Sequence, residues 1–320
     1  MCMKIIAGIR KKGMSAVSAF PLILLMLALI AMACGPSSGG SIQGFTFKEN
    51  PQGIELSENG SPVFFYQKEP KSANGEFFFN NYLHPLYSVN GDTLTEEFPD
   101  DHLHHRGIFW AWHQIYVGEK SLGDGWMMED FSQEVSDVST RTIESNAVLN
   151  TTVLWKSPAF DDSDPFLEER SKITVYPLQD SQRIIDFEIS LSSLVDGIHI
   201  GGSDDEKGYG GFSARLRLPD DLVFTSEGGR VTPENLQIQA GPWIDCSGSL
   251  GRNGEQYGVT LICQPETPNY PAPWILRQKR SMQNIVFPGR ERIEIPLGKP
   301  LVLKYRLILH EGNTDLPYRN

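Results

Sequence analysis

The chain has 320 residues and carries 28 basic against 40 acidic side chains, which gives a net charge of −12 at pH 7. Four of the basic side chains and none of the acidic ones lie in residues 1–34, so the rest of the chain carries −16. Such an acidic surface repels nucleic acid and anionic lipid, so we exclude a nucleic-acid-binding protein. It suits a protein that acts on glycans or on small neutral or cationic molecules.

The N-terminus has the pattern of an export signal. A basic cluster at residues 10–12 precedes the apolar run "AFPLILLMLALIAMAC", which is typical of a secretory signal peptide. The end of this run resembles a bacterial lipoprotein box, which implies that Cys34 becomes a lipid-anchored N-terminus. We predict a lipoprotein signal peptide at 1–34, a flexible tether at 35–44 and a location on the periplasmic face of the outer membrane. Simple secretion and a retained membrane anchor are the alternatives.

Residues 45–320 have the pattern of one all-β domain. Short runs rich in β-branched and aromatic residues are separated by turn signals, and no segment shows a long amphipathic helical stripe. The absence of a fixed-period repeat favours a large antiparallel β-sandwich over a propeller. The clearest predicted strands are "GIELSENGSPVFFYQ", "AVLNTTVLWKS", "SKITVYPL", "QRIIDFEISLSSL", "DLVFTS", "YGVTLICQ", "RIEIPL" and "LVLKYRLILHEG".

The stretch "FPDDHLHHRGIFWAWH", residues 98–113, holds four of the seven histidines. On a strand, His102 and His104 would project from one face, a geometry that zinc, nickel or copper sites use. In that interpretation Asp101 is a further ligand or orients one of the imidazoles. A metal site at His102 and His104 is therefore one hypothesis for this stretch.

Acid/base chemistry on a sugar is the other hypothesis for this stretch. His104 and His105 would transfer protons, Arg106 would stabilise a developing anion, and Asp101 would orient an imidazole. A structural interpretation is also open, because "GIFWAWH" alternates like a core strand, with Phe109 and Ala111 on one face. In that interpretation Arg106 forms a salt bridge with Asp100 or Asp101.

A second polar cluster lies in "GGSDDEKGYGGFSARLRL", a glycine-rich loop that leads into a strand. Glu206 is its candidate catalytic carboxylate, and the alternative is an acidic surface loop stiffened by calcium. Aromatic residues near prolines, as in "TPNYPAPWILR", predict a loop that closes a sugar-binding rim. The residues predicted to contact substrate are His84, Trp110, Trp112, His113, Lys207, Tyr209, Asp245 and Trp274.

Two cysteines, Cys246 and Cys263, flank a predicted hairpin. In an oxidising compartment they would form a disulfide or remain two buried thiols.

Several of these motifs together resemble a known bacterial family. "HPLYSVNGDTLTEEFPDDHLHHRGIFWAW", "EKGYGGFSARL", "GPWIDCSG", "NYPAPW" and "LKYRLILHEG" look like the family labelled "methane oxygenase PmoA", over residues 45 to 315. Its members are often exported by bacteria that degrade polysaccharides. The label implies a metal-dependent oxidase, but the subunit of that name has several membrane-spanning helices, whereas this chain has one export segment followed by strands.

The strand-rich layout is also similar to the galactose mutarotase-like supersandwich. That likeness implies a sugar site in which His104 or His105 works with Glu206 or Asp245. We therefore predict an exported carbohydrate-active enzyme, a glycoside hydrolase, lyase or epimerase, with a divalent cation (Zn, Ni, Cu or Ca) as an optional cofactor. A non-catalytic glycan-binding or metal-binding lipoprotein is the alternative, and a metal-dependent oxidase is a further one.

Overall fold

A computed structural model describes residues 44–312 of the chain. The predicted signal peptide and almost all of the predicted tether lie outside the described residues. Within these residues the structure has twenty-three strands, numbered in chain order, and one short 3-10 turn at Asp161–Ser163. The all-β prediction is confirmed.

The strands of the N-terminal part are β1 (Phe45–Asn50), β2 (Gly53–Glu58), β3 (Ser61–Gln67), β4 (Lys71–Ala73), β5 (Glu76–Phe79), β6 (Tyr82–Leu86), β7 (Ile108–Trp112), β8 (Gln114–Val117) and β9 (Lys120–Gly123). Those of the middle part are β10 (Ser132–Ile143), β11 (Asn146–Lys156), β12 (Leu167–Val175), β13 (Gln182–Ser193), β14 (Ile198–Gly201), β15 (Gly210–Ala214), β16 (Val223–Ser226) and β17 (Gly229–Val231). Those of the C-terminal part are β18 (Trp243–Gly248), β19 (Tyr257–Cys263), β20 (Trp274–Ile275), β21 (Gln283–Val286), β22 (Ile293–Glu294) and β23 (Leu301–Glu311).

Two large antiparallel sheets form the sandwich. One has eight strands in the order β1-β2-β3-β6-β7-β15-β21-β20, and the other has nine in the order β10-β11-β12-β13-β23-β19-β18-β16-β17. Smaller sheets, β22-β14-β8-β9 and the β4-β5 hairpin, complete the domain. The main core lies between the large sheets, where Trp110 and Phe212 of one sheet meet Phe187 and Tyr305 of the other.

Strand β7 carries two different faces, as its alternating sequence predicts. Ile108, Trp110 and Trp112 belong to the main core, whereas Phe109 and Ala111 belong to a second apolar cluster on the opposite face of the sheet. This second cluster, which we call the outer cluster, consists of Phe79, Tyr82, Phe109, Ala111, Trp126 and Met282. The candidate functional residues lie on this outer cluster.

The predicted hairpin between the two cysteines is present as β18 and β19, which pair antiparallel. Cys246 and Cys263 are both buried free thiols, because they do not face each other: Cys246 lies opposite Val259 and Cys263 opposite Tyr305. No helix in residues 44–312 is long and apolar enough to cross a membrane.

Candidate functional site

The histidine-rich stretch forms a turn rather than a strand. The amide of His102 donates to the Pro99 carbonyl at 2.9 Å, and the amide of His105 donates to the His102 carbonyl at 2.9 Å. Strand β7 begins only at Ile108. The prediction that His102 and His104 alternate along a strand is therefore wrong, because the proline and the two aspartates before them start a turn instead. The turn gathers three imidazoles into one cluster.

An arginine from a distant strand holds this turn in place. Arg215 binds Asp101 through two hydrogen bonds of 2.8 and 3.2 Å, and its Nε donates to Glu96 at 2.8 Å. Burial would raise the pKa of Asp101, but the hydrogen bonds and charge of Arg215 outweigh burial and hold that pKa below its usual value. The sequence-based alternative of a salt bridge from Arg106 to Asp100 or Asp101 is wrong: within residues 44–312 Arg106 pairs with neither, and Arg215 takes the Asp101 carboxylate.

Gly107 closes the turn onto the sheet. Its φ is +39°, and a Cβ at this position would lie 1.9 Å from the Leu83 carbonyl oxygen. No other residue fits without a shift of the backbone, so the "HHRG" motif needs its glycine here. This close approach places the three imidazoles beside strands β6 and β7.

The three imidazoles of the turn pack directly against one another. The rings of His102 and His105 stack at 4.6 Å, and His104 lies edge-on to His105 at 4.6 Å. Burial, together with the neighbouring imidazoles and Arg106, lowers the pKa of His104 to about 4. Burial, the neighbouring imidazoles and the charges of Arg215 and Arg106 lower the pKa of His105 to about 2. Both rings are therefore neutral near pH 7, and neither is a proton donor in imidazolium form at that pH.

Arg106 is buried on the outer cluster. Its guanidinium lies between two aromatic rings, 3.9 Å from the centre of Phe79 and 4.4 Å from that of Phe109. Its Nη1 donates to the carbonyls of His104 and Trp126 at 3.3 and 3.4 Å, and its buried Nε has no hydrogen-bond partner. Burial lowers the pKa of Arg106 to about 9, so the side chain stays positively charged at neutral pH.

His113 and Asp124 form a pair beside this arginine. His113 Nδ1 lies 2.8 Å from Asp124 Oδ2, and the other oxygen of Asp124 accepts from the amides of Trp126 and Met127. These amides fix the carboxylate, which in turn fixes the imidazole. The two side chains of the pair are 22% and 26% exposed, so Nε2 of His113 is available to a ligand. The charges of this pair and of Arg106 both act on His104, so these groups share one site.

Aromatic side chains surround the site, and a pocket lies next to the outer cluster across Phe77 and Met127. The His113 ring stacks on buried Trp126 at 5.0 Å, and half-buried Tyr209 lies 6.0 Å from the same indole. The Tyr209 hydroxyl accepts a hydrogen bond of 2.7 Å from Arg277. A pocket of about 630 Å³ adjoins the outer cluster. It is lined by Pro70, Glu76, Phe77, Phe78, Asn80, Met127, Met128, Glu129, Phe131, Ser132 and Gln133.

The structure places several predicted ligand-binding residues inside the core. Trp110, Trp112 and Trp274 are buried, and their indole nitrogens donate to Glu169, to the Phe287 carbonyl and to the Gly241 carbonyl. The predicted loop around Trp274 is wrong at this residue, which begins strand β20. A buried indole whose N–H is already satisfied has no face to offer a sugar in this conformation.

The other predicted polar residues lie in three different places. His84 lines a separate pocket of about 730 Å³, and burial lowers its pKa to about 4. Asp245 lies in the nine-stranded sheet, where it accepts a hydrogen bond of 2.8 Å from His310. Glu206 is exposed in the 202–209 loop beside half-buried Lys207. Asp205 closes that loop by accepting from the amide of Lys207 at 2.9 Å.

The metal hypothesis for His102 and His104 stays a prediction. Their ring centres are 5.5 Å apart, and His102 Nδ1 lies 3.4 Å from Asp101 without the alignment of a hydrogen bond. Across residues 44–312, no group of three or more His, Cys, Asp or Glu side chains is arranged to hold a metal ion. A cation bound to these imidazoles would also lie close to the positive charge of Arg106.

Sequence reasoning missed the second half of the site. Asp124 and Trp126 follow strand β9 in "GDGW", a turn signal with no histidine nearby in the sequence. Arg215 is separated from Asp101 by 114 residues, so only the sheet order brings them together. The available signal for Asp124 was an aspartate between two glycines at the end of a short, mostly polar strand, which is too common to single out a site.

The fold and the site define a class: an all-β sandwich protein with a histidine, aspartate and arginine cluster on the outer face of one sheet. The chain belongs to the "Family of unknown function (DUF6807)", whose family model matches residues 53–316. No curated protein matches the chain. The resemblances to the PmoA-labelled family and to the mutarotase-like supersandwich stay predictions.

Proposed function

We propose that the protein is an exported, lipid-anchored carbohydrate-active enzyme that transfers a proton to or from a sugar. The observation that carries this proposal is the His113 and Asp124 pair. Asp124 binds Nδ1, Nε2 makes no hydrogen bond to the described residues, and the charges of Asp124 and Arg106 act on each other. An imidazole oriented by a carboxylate is a general base, and a nearby guanidinium stabilises the anion that forms when the proton leaves.

The other imidazoles of the site have different roles in this proposal. His104 and His105 are neutral near pH 7, so they act as hydrogen-bonding and packing groups rather than as charged acids. Asp101 positions the turn through Arg215. Half-buried Tyr209 and Phe77 supply flat faces for a sugar ring in place of the buried tryptophans.

The carboxylates favour a lyase or an epimerase over a glycoside hydrolase. A hydrolase of the usual kind needs two carboxyl groups facing the glycosidic bond. Around this site Asp101 and Glu96 bind Arg215, and Asp124 binds His113. Glu97 accepts from the Tyr82 hydroxyl and pairs with Lys71. These four carboxylates are already committed to protein partners. Glu76 and Glu129, which line the adjoining pocket, are not, so the preference rests on His113 as the open base next to Arg106.

Isotope exchange tests this function without knowledge of the product. The mature protein is incubated in D2O with a panel of neutral and acidic mono- and oligosaccharides, and mass spectrometry measures incorporation of deuterium at carbon. We expect one sugar class to gain deuterium and His113→Asn to slow the exchange by about 10²- to 10⁴-fold. His199→Asn is the matched control, because His199 lies on β14 and bonds to the nearby Gly197 carbonyl.

Two results would count against the proposal. One is full exchange activity in the folded His113→Asn protein. The other is hydrolysis of a glycoside with no deuterium at carbon, which would point to a different set of catalytic groups.

A further inference from the structure

Among the described residues, three arginines are buried: Arg106, Arg183 and Arg215. Arg183 binds Glu58 at 2.7 Å, and Arg215 binds both Glu96 and Asp101. Within residues 44–312, no carboxylate lies within 4.0 Å of a nitrogen of Arg106. A buried charge without a counterion is costly, so its retention calls for an explanation.

The protein contacts of the buried Arg106 side chain leave part of its hydrogen-bonding capacity unused. Its hydrogen bonds to main-chain carbonyls are 3.3 and 3.4 Å long, near the limit for such bonds, and its Nε donates to nothing. A carboxylate offers two oxygens to a guanidinium in a planar, charge-assisted pair, which is the strongest complement to this group.

We propose that Arg106 binds a carboxylate of the substrate, so that the substrate is an acidic sugar such as a uronic acid; this inference rests on the proposed function. The charge of Asp124 acts on Arg106 from a distance, but this carboxylate does not contact the guanidinium and is bound to His113 and to the amides of Trp126 and Met127. The high negative charge of the whole chain does not oppose this, since solvent ions screen charges beyond a Debye length of about 8 Å at physiological salt.

The adjoining pocket fits the rest of such a sugar. Phe77 and Met127 line the pocket and also pack against the outer cluster that holds Arg106. Glu76 and Glu129 line the same pocket and are exposed. Their carboxylates can accept hydrogen bonds from ring hydroxyls while the sugar carboxylate lies toward Arg106.

With an acidic substrate, His113 can act as a general base that removes a proton from the carbon next to the carboxylate. Nε2 of His113 takes the hydrogen of the carbon next to the carboxylate as a proton, and the C–H electron pair enters the carboxylate as an enolate that faces Arg106. The carbon then either takes a proton from water on its opposite side, which inverts it while His113 releases its proton to solvent, or forms a double bond to the next carbon. In the second case the oxygen substituent on that carbon leaves and takes up a proton. Neither course needs an oxidant or a reductant.

Binding of D-glucuronate and D-glucose tests the inference directly. Calorimetry on the mature wild-type protein should show a preference for D-glucuronate of at least about tenfold, the size of one good charged contact. Arg106→Met should abolish this preference, while Arg183→Met, a matched loss of a buried arginine, should keep it. Equal binding of the two sugars, or a preference that survives in Arg106→Met, would overturn the inference.

A measurement on the wild-type protein covers the case in which Arg106→Met fails to fold. The Nε–H resonance of Arg106 should shift on addition of D-glucuronate and stay in place on addition of D-glucose. No shift with D-glucuronate would overturn the inference.

The failures of the two proposals are distinguishable. If the enzyme exchanges deuterium into neutral sugars and does not prefer D-glucuronate, only the acidic-substrate inference fails. If D-glucuronate binds through Arg106 and no sugar gains deuterium, the proton-transfer function fails.

Discussion

Two histidine and aspartate pairs of this protein have the same N–O distance but different surroundings. His310 Nε2 and Asp245 lie 2.8 Å apart inside the nine-stranded sheet, and His310 Nδ1 lies 3.0 Å from the Gly312 carbonyl. Asp245 also accepts from Thr260, and both members of the pair are buried. His113 and Asp124 are also 2.8 Å apart, but they are partly exposed. A histidine and aspartate pair is therefore a candidate for chemistry only when one imidazole nitrogen stays open.

The buried pair is expected to contribute the most to stability. Asp245→Asn removes the charge that His310 faces and should lower the free energy of unfolding by about 3–5 kcal/mol. Asp124→Asn keeps an oxygen for the amides of Trp126 and Met127 and should cost at most about 1 kcal/mol. Urea unfolding of both variants measures the difference. Equal losses would show that the two pairs have the same structural role.

The two buried arginines Arg215 and Arg106 should also differ in how much they contribute to the free energy of unfolding. Arg215→Met leaves two carboxylates without their partner and should cost about 3 kcal/mol. Arg106→Met removes a charge that no carboxylate of the described residues contacts and places an apolar side chain beside Phe79 and Phe109. Its free energy of unfolding should stay within about 1 kcal/mol of wild type. A large loss in Arg106→Met would contradict the claim that Arg106 is uncompensated in the ligand-free protein.

Acid should weaken the protein through the imidazole cluster. The pKa of His104 is about 4 in the folded state against 6.5 for the free side chain. The folded state therefore binds fewer protons than the unfolded state, so this contribution is present above pH 6.5 and is lost as the pH falls toward 4. The full shift is worth about 2 kcal/mol between pH 7 and 5. Solvent screens the partly exposed ring, so replacing His104 with Gln should remove about 1–2 kcal/mol of the stability lost over this range. Urea unfolding at the two pH values measures this change.

The contribution of His310 to stability has the opposite pH dependence, so it does not mask the effect of His104. Burial would lower the pKa of His310, but the hydrogen bond and charge of Asp245 outweigh burial and raise it. The His310 contribution is therefore complete below pH 6.5 and is lost as the pH rises through its folded-state pKa. Burial would raise the pKa of Asp245, but His310 outweighs burial and lowers it, so the Asp245 contribution is lost only below the usual range of an aspartate. An unchanged pH dependence in His104→Gln would contradict the assignment to the cluster.

The strands were predictable because their apolar residues alternate, and the structure has strands at the quoted runs, including β11, β13, β19 and β23. The two faces of β7 followed from the same alternation. The strand predicted at "DDHLHH" is a turn in the structure. A run of polar residues after a proline carries no periodicity that distinguishes a strand from a turn. Alternation also could not show that the buried Trp110 would find its partner in Glu169, 59 residues away.

The candidate site was predictable only in part. The sequence drew attention to His113 and Arg106 through the density of ionisable residues around them. It could not identify Asp124 as the partner of His113, nor Arg215 as the partner of Asp101, because both contacts depend on how the strands are ordered. The sequence also could not predict which histidine stays open to a ligand, because exposure depends on how the sheets pack.

The most direct test of the central claim compares His113→Asn and His310→Asn in one experiment. Deuterium incorporation into the sugar panel and the midpoint of urea unfolding are measured for both proteins beside wild type. We expect His113→Asn to lose exchange and keep its midpoint, and His310→Asn to keep exchange per folded molecule and lose stability. Retained exchange in His113→Asn, together with a lowered midpoint, would contradict the claim that the open pair is the working centre of this protein.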